Sequence, residues 1–124
     1  MLEETQIAYQ DFRLRNFQVA SASWIADYND AMSFLYLMQS ATGVQNYGDY
    51  QNPAYDALLA QADDEVDARR RAMLLARAER LMLADGAIAP FYFAVNTNLV
   101  SPRVTGFVDN IVDHHPSRYL CVRP

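Results

Sequence analysis

A two-residue alternation of side chains runs along residues 17–25 and is the clearest structural signal in the chain. Phe17, Val19 and Ile25 occupy one face of this alternation, whereas Trp24 occupies the other. A period of two residues is typical of a β-strand. The pattern therefore predicts a strand over this stretch, with Trp24 near its C-terminal end, where α/β sheets usually bind their ligands.

A helix is predicted directly after residue 52. Asn52 is suited to the N-cap position, and Pro53 is suited to the first helical position, where its missing N–H costs nothing. The apolar residues that follow recur at the spacing of one helical face and are Tyr55, Leu58, Leu59 and Ala62. We expect this face to be buried.

The longest predicted helix covers about residues 65–84. Its apolar stripe consists of Leu74, Leu75, Ala78, Leu81 and Met82. Glu65 precedes Arg69 by four positions, and Asp67 precedes Arg71 by four positions. Acid–base pairs at this spacing and in this order support a helix.

The rest of the chain carries weaker patterns. We expect short helices over residues 3–16 and 30–40, a loop over 41–52 and, after a helix stop at Gly86, a strand over 88–95. This second strand is apolar on both faces, which is typical of a central strand that helices cover on both sides.

Length and charge exclude several classes of protein. A chain of 124 residues supports one domain at most. The net charge of −5 argues against nucleic acid and against an anionic membrane surface as partners, because no basic stripe exists to meet phosphates. No apolar run reaches the roughly 20 residues of a membrane helix. Residues 1–15 lack the apolar core of a signal peptide.

Reactive residues form no familiar chemical site. Cys121 is the only cysteine, so no internal disulfide or thiol metal site is expected. His114 and His115 follow Asp113, but adjacent histidines point in different directions and no third ligand is evident. No nucleophile elbow of the Gly-x-Ser-x-Gly type is present. The sequence therefore predicts no catalytic residues, no metal and no cofactor.

Four segments carry a signature in a fixed order along the chain. They are residues 24–29 with 33–35, residues 46–48 with 50–58, residues 77–81 with 87–92, and residues 98–100 with 104–107. Together they resemble the bacterial extracellular solute-binding protein family 5, which contains the oligopeptide- and dipeptide-binding proteins of ABC importers. The resemblance covers nearly the whole chain.

The resemblance implies an α/β fold with a mixed sheet flanked by helices. Residues 1–98 would form part of the C-terminal ligand-binding lobe of a type II periplasmic binding protein, and residues 99–124 would be a return segment that crosses to the other lobe. Family members are several hundred residues long, so the resemblance implies that the chain corresponds to a C-terminal fragment of a larger protein.

Four residues are candidates for ligand binding on the strength of the resemblance. It implies that the carboxylate of Asp27 pairs with the α-ammonium of a peptide, that Trp24 and its neighbour Ile25 contact ligand side chains, and that Arg13 meets the C-terminal carboxylate. The residues themselves leave alternatives open. Asp27 could cap a loop, Trp24 could belong to the core, and Arg13 could lie on a solvated face.

The function implied is that of the solute-binding component of an ABC importer, which takes up oligopeptides or similar solutes and is not an enzyme. Its partners would be the solute and a membrane permease, and its location the periplasm or the cell exterior, associated with the membrane. Two alternatives stay open. The ligand could be a nickel complex, a sugar oligomer, an opine or a cell-wall peptide, or the chain could be a stand-alone interaction module whose apolar faces self-associate.

Overall fold

The computed structural model describes residues 5–110 and 112–124, and these form two compact units. The first unit extends to Ala89 and the second begins at Pro90. The boundary expected between residues 98 and 99 lies later in the chain than this division. The assignment of residues 1–98 to a ligand-binding lobe stays a prediction.

The first unit is helical. Its α-helices are α1 (Thr5–Leu14), α2 (Met32–Leu35), α3 (Pro53–Asp64) and α4 (Ala68–Ala84). Short 3₁₀ helices follow α2 at Tyr36–Met38 and at Ser40–Gln45. The helix predicted over 30–40 is thus divided into an α turn and a 3₁₀ turn, and the loop predicted over 41–52 begins with 3₁₀ structure. No helix among the described residues combines the length and apolarity that crossing a membrane requires.

Helices α3 and α4 pack together and supply most of the core. Asn52 caps α3 as predicted, because its Oδ1 accepts hydrogen bonds from the backbone N–H groups of Ala54 (2.9 Å) and Tyr55 (3.2 Å). The predicted face of α3 is entirely buried, and the core residues of α4 are Leu75, Ala78 and Met82. Leu74 and Leu81 pack against this core from its edge.

The two helices are also joined at their ends. The carboxylate of Asp85, just after α4, accepts hydrogen bonds of 2.7 Å from the Tyr50 hydroxyl and from the side-chain amide of Asn52. Gly86 adopts the left-handed φ of 70° that the sequence predicted, so Ala87 N–H can reach the Met82 carbonyl. The end of α4 is therefore fixed beside the start of α3.

Tyr55 connects this helical pair to α2. Its side chain is fully buried, and its hydroxyl donates a 2.5 Å hydrogen bond to the backbone carbonyl of Leu35. Burial raises the pKa of the Tyr55 hydroxyl well above its usual value, so the group stays protonated and keeps donating. Met32 and Leu35 of α2 are buried in the same cluster.

Helix α4 begins later than predicted, at Ala68. Asp67 is its N-cap, and its Oδ1 accepts a 2.8 Å hydrogen bond from Arg70 N–H. Glu65 lies outside the helix, where it accepts a hydrogen bond from Asp67 N–H. The expected pairing of Asp67 with Arg71 is wrong, because the Arg71 guanidinium binds Asp30 instead.

Neither predicted strand forms. Residues 17–25 and 88–95 have no regular secondary structure. A strand is defined by hydrogen bonds to a neighbour, and the described part of the chain offers these segments no neighbouring strand. The prediction of strands from the alternation over residues 17–25 and from the apolar run over 88–95 is therefore wrong.

The second unit contains one two-stranded antiparallel sheet. Strand β1 (Val104–Thr105) pairs with β2 (Cys121–Val122), with Val104 opposite Val122. Between the two strands, Gly106 has a φ of 84°, and a Cβ atom there would lie 1.8 Å from the Tyr119 carbonyl oxygen. Only glycine fits this close approach.

Replacement of Tyr55 by Phe tests the connection between α2 and the helical pair. The variant keeps the buried ring but removes the hydrogen bond from its hydroxyl to the Leu35 carbonyl, so we expect the free energy of unfolding to fall by about 1–2 kcal/mol. Urea unfolding followed by circular dichroism measures it. In the control Tyr50→Phe, the lost hydrogen bond is to an exposed carboxylate, and we expect a loss below about 1 kcal/mol. Equal losses in both variants would contradict this account.

Candidate functional site

Trp24 lies on the surface of the first unit and contacts Tyr36. The two rings meet edge to face, with centroids 6.3 Å apart and an interplanar angle of 71°. Trp24 retains 37 % of its surface exposed. The alternative that Trp24 belongs to the core is therefore wrong, because the indole covers Tyr36 and still presents area to solvent.

Asp27 is held through its backbone, and its side chain is exposed. Its N–H donates a 2.7 Å hydrogen bond to the hydroxyl of Ser33, a residue with no exposed surface. Burial, followed by the negative charge of Asp27, raises the pKa of the Tyr36 hydroxyl, so Asp27 and Tyr36 are electrostatic neighbours. Trp24, Asp27 and Tyr36 thus form one group, here called the aromatic–acid surface.

Asp30 performs the loop-capping role that was considered for Asp27. Its Oδ1 accepts a 2.8 Å hydrogen bond from Met32 N–H. The described hydrogen bonds include none to the carboxylate of Asp27. The capping alternative for Asp27 therefore has no support in the described residues, and its carboxylate faces solvent.

An ion pair fixes this loop to α4. Both carboxylate oxygens of Asp30 accept hydrogen bonds from the guanidinium of Arg71, one of them at 3.0 Å from the terminal nitrogen Nη2. These hydrogen bonds hold the pKa of Asp30 below its usual value. Because such a pair restrains both side chains, it sets the position of the residues between Trp24 and α2.

The other two predicted site residues are less closely connected. Ile25 is 76 % exposed and adjoins Trp24 only through the chain. Arg13 is exposed in the last turn of α1, and no described hydrogen bond or ion pair links it to Trp24 or Asp27. Its neighbour Arg15 pairs instead with Asp49 at 2.7 Å. The roles of Ile25 and Arg13 stay predictions.

The aromatic–acid surface is open. Two shallow grooves lie along α3 and α4, with Gln61 and Arg77 common to both, and neither contains Trp24 or Asp27. Trp24 and Asp27 are both exposed, so a ligand that contacts them would lie on a surface that is open to solvent.

The histidine pair lies in the second unit. His115 Nε2 is 2.8 Å from Asp113 Oδ1, and its ring stacks on Phe107 with centroids 4.1 Å apart. The contact with His115, together with an amide hydrogen bond from Asn98, holds the pKa of Asp113 below its usual value. Among the described residues, no three histidine, cysteine, aspartate or glutamate side chains are placed together so that they could hold a metal ion.

Three residues that build the site were not identified from the sequence as part of it. Tyr36 supports the indole, Ser33 positions Asp27, and Arg71 anchors Asp30. Ser33 lies within a segment that resembles the family, which is the signal that could have pointed to it. Arg71 carried no local signal, because its partner is 41 positions away.

Comparison with known proteins finds relatives of one kind. The chain is 42 % identical over 100 residues to the periplasmic oligopeptide-binding protein OppA of Salmonella typhimurium, covering 77 % of this chain and 18 % of that protein. It is 39 % identical over 108 residues to the periplasmic murein peptide-binding protein MppA of Escherichia coli, covering 86 % of this chain and 20 % of that protein. These relatives are family 5 extracellular solute-binding proteins, and the chain matches a part of each of them.

Solved structures of the family confirm the α/β fold class. The chain superposes on the E. coli murein tripeptide-binding protein MppA with a TM-score of 0.84 and 31 % identity, over 97 % of this chain and 24 % of that one. The unliganded open form of MppA gives a TM-score of 0.77 and 33 % identity over 98 % of this chain and 24 % of that one. No family model matches the chain. It spans about a fifth of the length of the curated family members.

Replacement of Asp30 by Asn should weaken the acid sensitivity of the fold. Because Arg71 lowers the pKa of Asp30 in the folded state, the unfolded chain binds the proton more readily. The pair therefore stabilises the fold above the usual Asp pKa of about 4, and this stabilisation is lost as the pH falls through the folded-state pKa. We expect the wild type to lose up to about 1 kcal/mol more than the variant between about pH 5 and pH 2, since the pair is partly exposed.

Urea unfolding at stepwise pH measures this difference. The control is Asp49→Asn, which removes a carboxylate from the more exposed pair with Arg15. We expect the control to follow the wild-type pH profile. An Asp30→Asn profile that also follows the wild type would show that the Asp30–Arg71 pair does not anchor the loop.

Proposed function

We propose that the chain forms one wall of a solute cleft that binds peptides for uptake by an ABC importer. The observation that carries this proposal is the exposed carboxylate of Asp27 beside the Trp24–Tyr36 ring pair. It occurs in a chain whose relatives are named oligopeptide-, murein peptide- and dipeptide-binding proteins. The function is binding without bond making or breaking.

Each residue of the surface has a role that suits a peptide. Asp27 pairs with the α-ammonium group, and Trp24 contacts side chains of varied shape through its apolar ring. Ile25 adds apolar area beside the indole. Arg13 remains the proposed partner of the peptide's C-terminal carboxylate.

Such a surface would bind a peptide as one of two walls that enclose the ligand. Ligand sites usually enclose most of the ligand, whereas the aromatic–acid surface covers one side. A second wall that closes over the peptide would strengthen the Asp27 contact by excluding water from it. Ligand contacts from both walls would favour the closed state, which the permease would then recognise at the outer face of the membrane, in the periplasm or cell exterior.

A second candidate ligand is a bile salt. The probable deoxycholate-binding periplasmic protein YgiS of E. coli is 36 % identical to this chain over 112 residues, covering 90 % of the chain and 21 % of that protein. The exposed indole of Trp24, which packs edge to face on the half-buried ring of Tyr36, would suit a flat apolar ligand. The charge of Asp27 favours the peptide, because a bile-salt carboxylate beside it would be repelled.

Trp24 is the only tryptophan, so its fluorescence and its single indole N–H resonance report directly on the proposed surface. We expect trialanine to shift both signals with a Kd of about 1 mM or weaker, because only one wall is present. Asp27→Asn should weaken this binding by about 1.4- to 5-fold, since an exposed ion pair contributes about 0.2–1 kcal/mol.

Controls separate charge from general polarity. N-acetyl-trialanine lacks the ammonium and should bind the wild type as weakly as trialanine binds Asp27→Asn. Asp64→Asn, at the end of α3, removes an exposed carboxylate elsewhere and should leave trialanine binding unchanged. Deoxycholate binding that is stronger than that of trialanine and rises in Asp27→Asn would favour the bile salt over the peptide.

A further inference from the structure

Helix α4 concentrates positive charge in a chain that is acidic overall. It contains five arginines and one glutamate, whereas the whole chain has a net charge of −5. Arg71 is used in the ion pair with Asp30. The ion pairs of the described residues include none of the other four arginines, all of which are exposed. These four are Arg69, Arg70, Arg77 and Arg80.

Two of these arginines line a groove between the later part of α4 and the earlier part of α3, here called the basic groove. Its volume is about 470 Å³, and its charged lining residues are Arg77 and Arg80. The other lining residues are neutral, and most of them are small or apolar. They are Ala54, Ala57, Leu58, Gln61 and Leu81. The basic groove thus combines two guanidinium groups with an apolar floor.

The positive charge is confined to a short part of the helical pair. Arg77 and Arg80 lie three positions apart, which places them on one face of α4 and about one helical turn from each other. A neighbouring groove also contains Arg77, but it is lined in addition by Arg70, Asp64 and Glu65. The charge of the surface therefore becomes mixed towards the start of α4.

We propose that the basic groove is a docking site for an acidic amphipathic helix of a partner protein. Two carboxylates of the partner, about one helical turn apart, bind the guanidinium groups of Arg77 and Arg80, whose planar fork matches a carboxylate. An apolar side chain between these carboxylates enters the groove over Leu58 and Leu81. Arginine is enriched in protein–protein interfaces and is often among the residues that contribute most to binding.

Charge complementarity favours a protein segment over an extended polyanion. Nucleic acids and anionic membranes present phosphates over an area much wider than one helical turn. Such a surface would also meet Asp64 and Glu65, and the net charge of −5 would repel it. A helix, in contrast, can place its carboxylates against Arg77 and Arg80 alone.

Two synthetic peptides test the proposal on the 124-residue chain. Both are alanine-rich helices of about 15 residues with leucines on one face; one carries glutamates beside the leucines, and the other carries glutamines. We expect the glutamate peptide to bind with a Kd of about 0.1 mM, measured by fluorescence anisotropy of a dye on the peptide. The glutamine peptide should bind about 2- to 30-fold more weakly, because two exposed ion pairs are lost. The side-chain Nε–H NMR resonances of Arg77 and Arg80 should shift on binding.

Charge reversal locates the site. The double variant Arg77→Glu, Arg80→Glu should weaken binding of the glutamate peptide at least about fivefold, because two attractive contacts become repulsive. The milder double variant Arg77→Gln, Arg80→Gln should weaken it in the same direction and replaces the first if circular dichroism shows a loss of helix. Arg69→Glu is the matched control, because Arg69 is exposed on the same helix but does not line the basic groove. Its Kd should stay within about twofold of the wild type.

Three outcomes would overturn the proposal. The first is the absence of binding by the glutamate peptide at millimolar concentration. The second is an equal loss of binding in Arg69→Glu and the double variants, which would indicate general attraction of anions. The third is tighter binding to phosphatidylglycerol vesicles than to the peptide, which would make a lipid surface the occupant.

The same variants keep this inference separate from the proposed function. The basic groove contains neither Trp24 nor Asp27, so trialanine binding followed through the Trp24 signals should be unchanged in the double variants. Loss of acidic-peptide binding without loss of trialanine binding would support the docking site. A chain that binds the acidic peptide but not trialanine would refute the proposed function and leave this inference intact.

Discussion

The buried hydroxyl of Tyr55 is the interaction on which the first unit depends. It joins α3 to the backbone of α2 across twenty positions of sequence. The ring lies in the core that the two long helices share, and the hydroxyl donates a hydrogen bond to the Leu35 carbonyl of α2. Because α2 has only one turn, it has little stability of its own and takes its position from this contact.

The aromatic–acid surface is supported from beneath by α2 and α4. Ser33 holds the backbone of Asp27, and Arg71 holds the loop through Asp30. These polar side chains are used in anchoring, which leaves the carboxylate of Asp27 and one edge of Trp24 accessible. A recognition surface requires a fixed backbone and accessible side chains. Little conformational entropy is then lost on binding.

The same structure shows why such a surface would be weak alone. The grooves of the first unit run along α3 and α4, whereas Trp24 and Asp27 lie on open surface. In the second unit the apolar side chains between residues 91 and 99 are more exposed than Trp24. Both observations fit a chain that spans a fifth of its relatives' length, because cleft walls and sheet layers are each shared between distant parts of a polypeptide.

The sequence by itself determined the helical pair. The Asn52 cap, the apolar spacing from Tyr55 to Ala62 and the stop at Gly86 are local signals, because each is formed by residues within about two helical turns of one another. Only the tertiary structure decided the rest. It paired Arg71 with Asp30 rather than with Asp67, placed Tyr36 beneath Trp24, and left residues 17–25 and 88–95 without strand partners. A strand or an ion pair between distant residues depends on which groups the folded chain brings together. The local pattern of apolar and polar residues does not specify these distant partners.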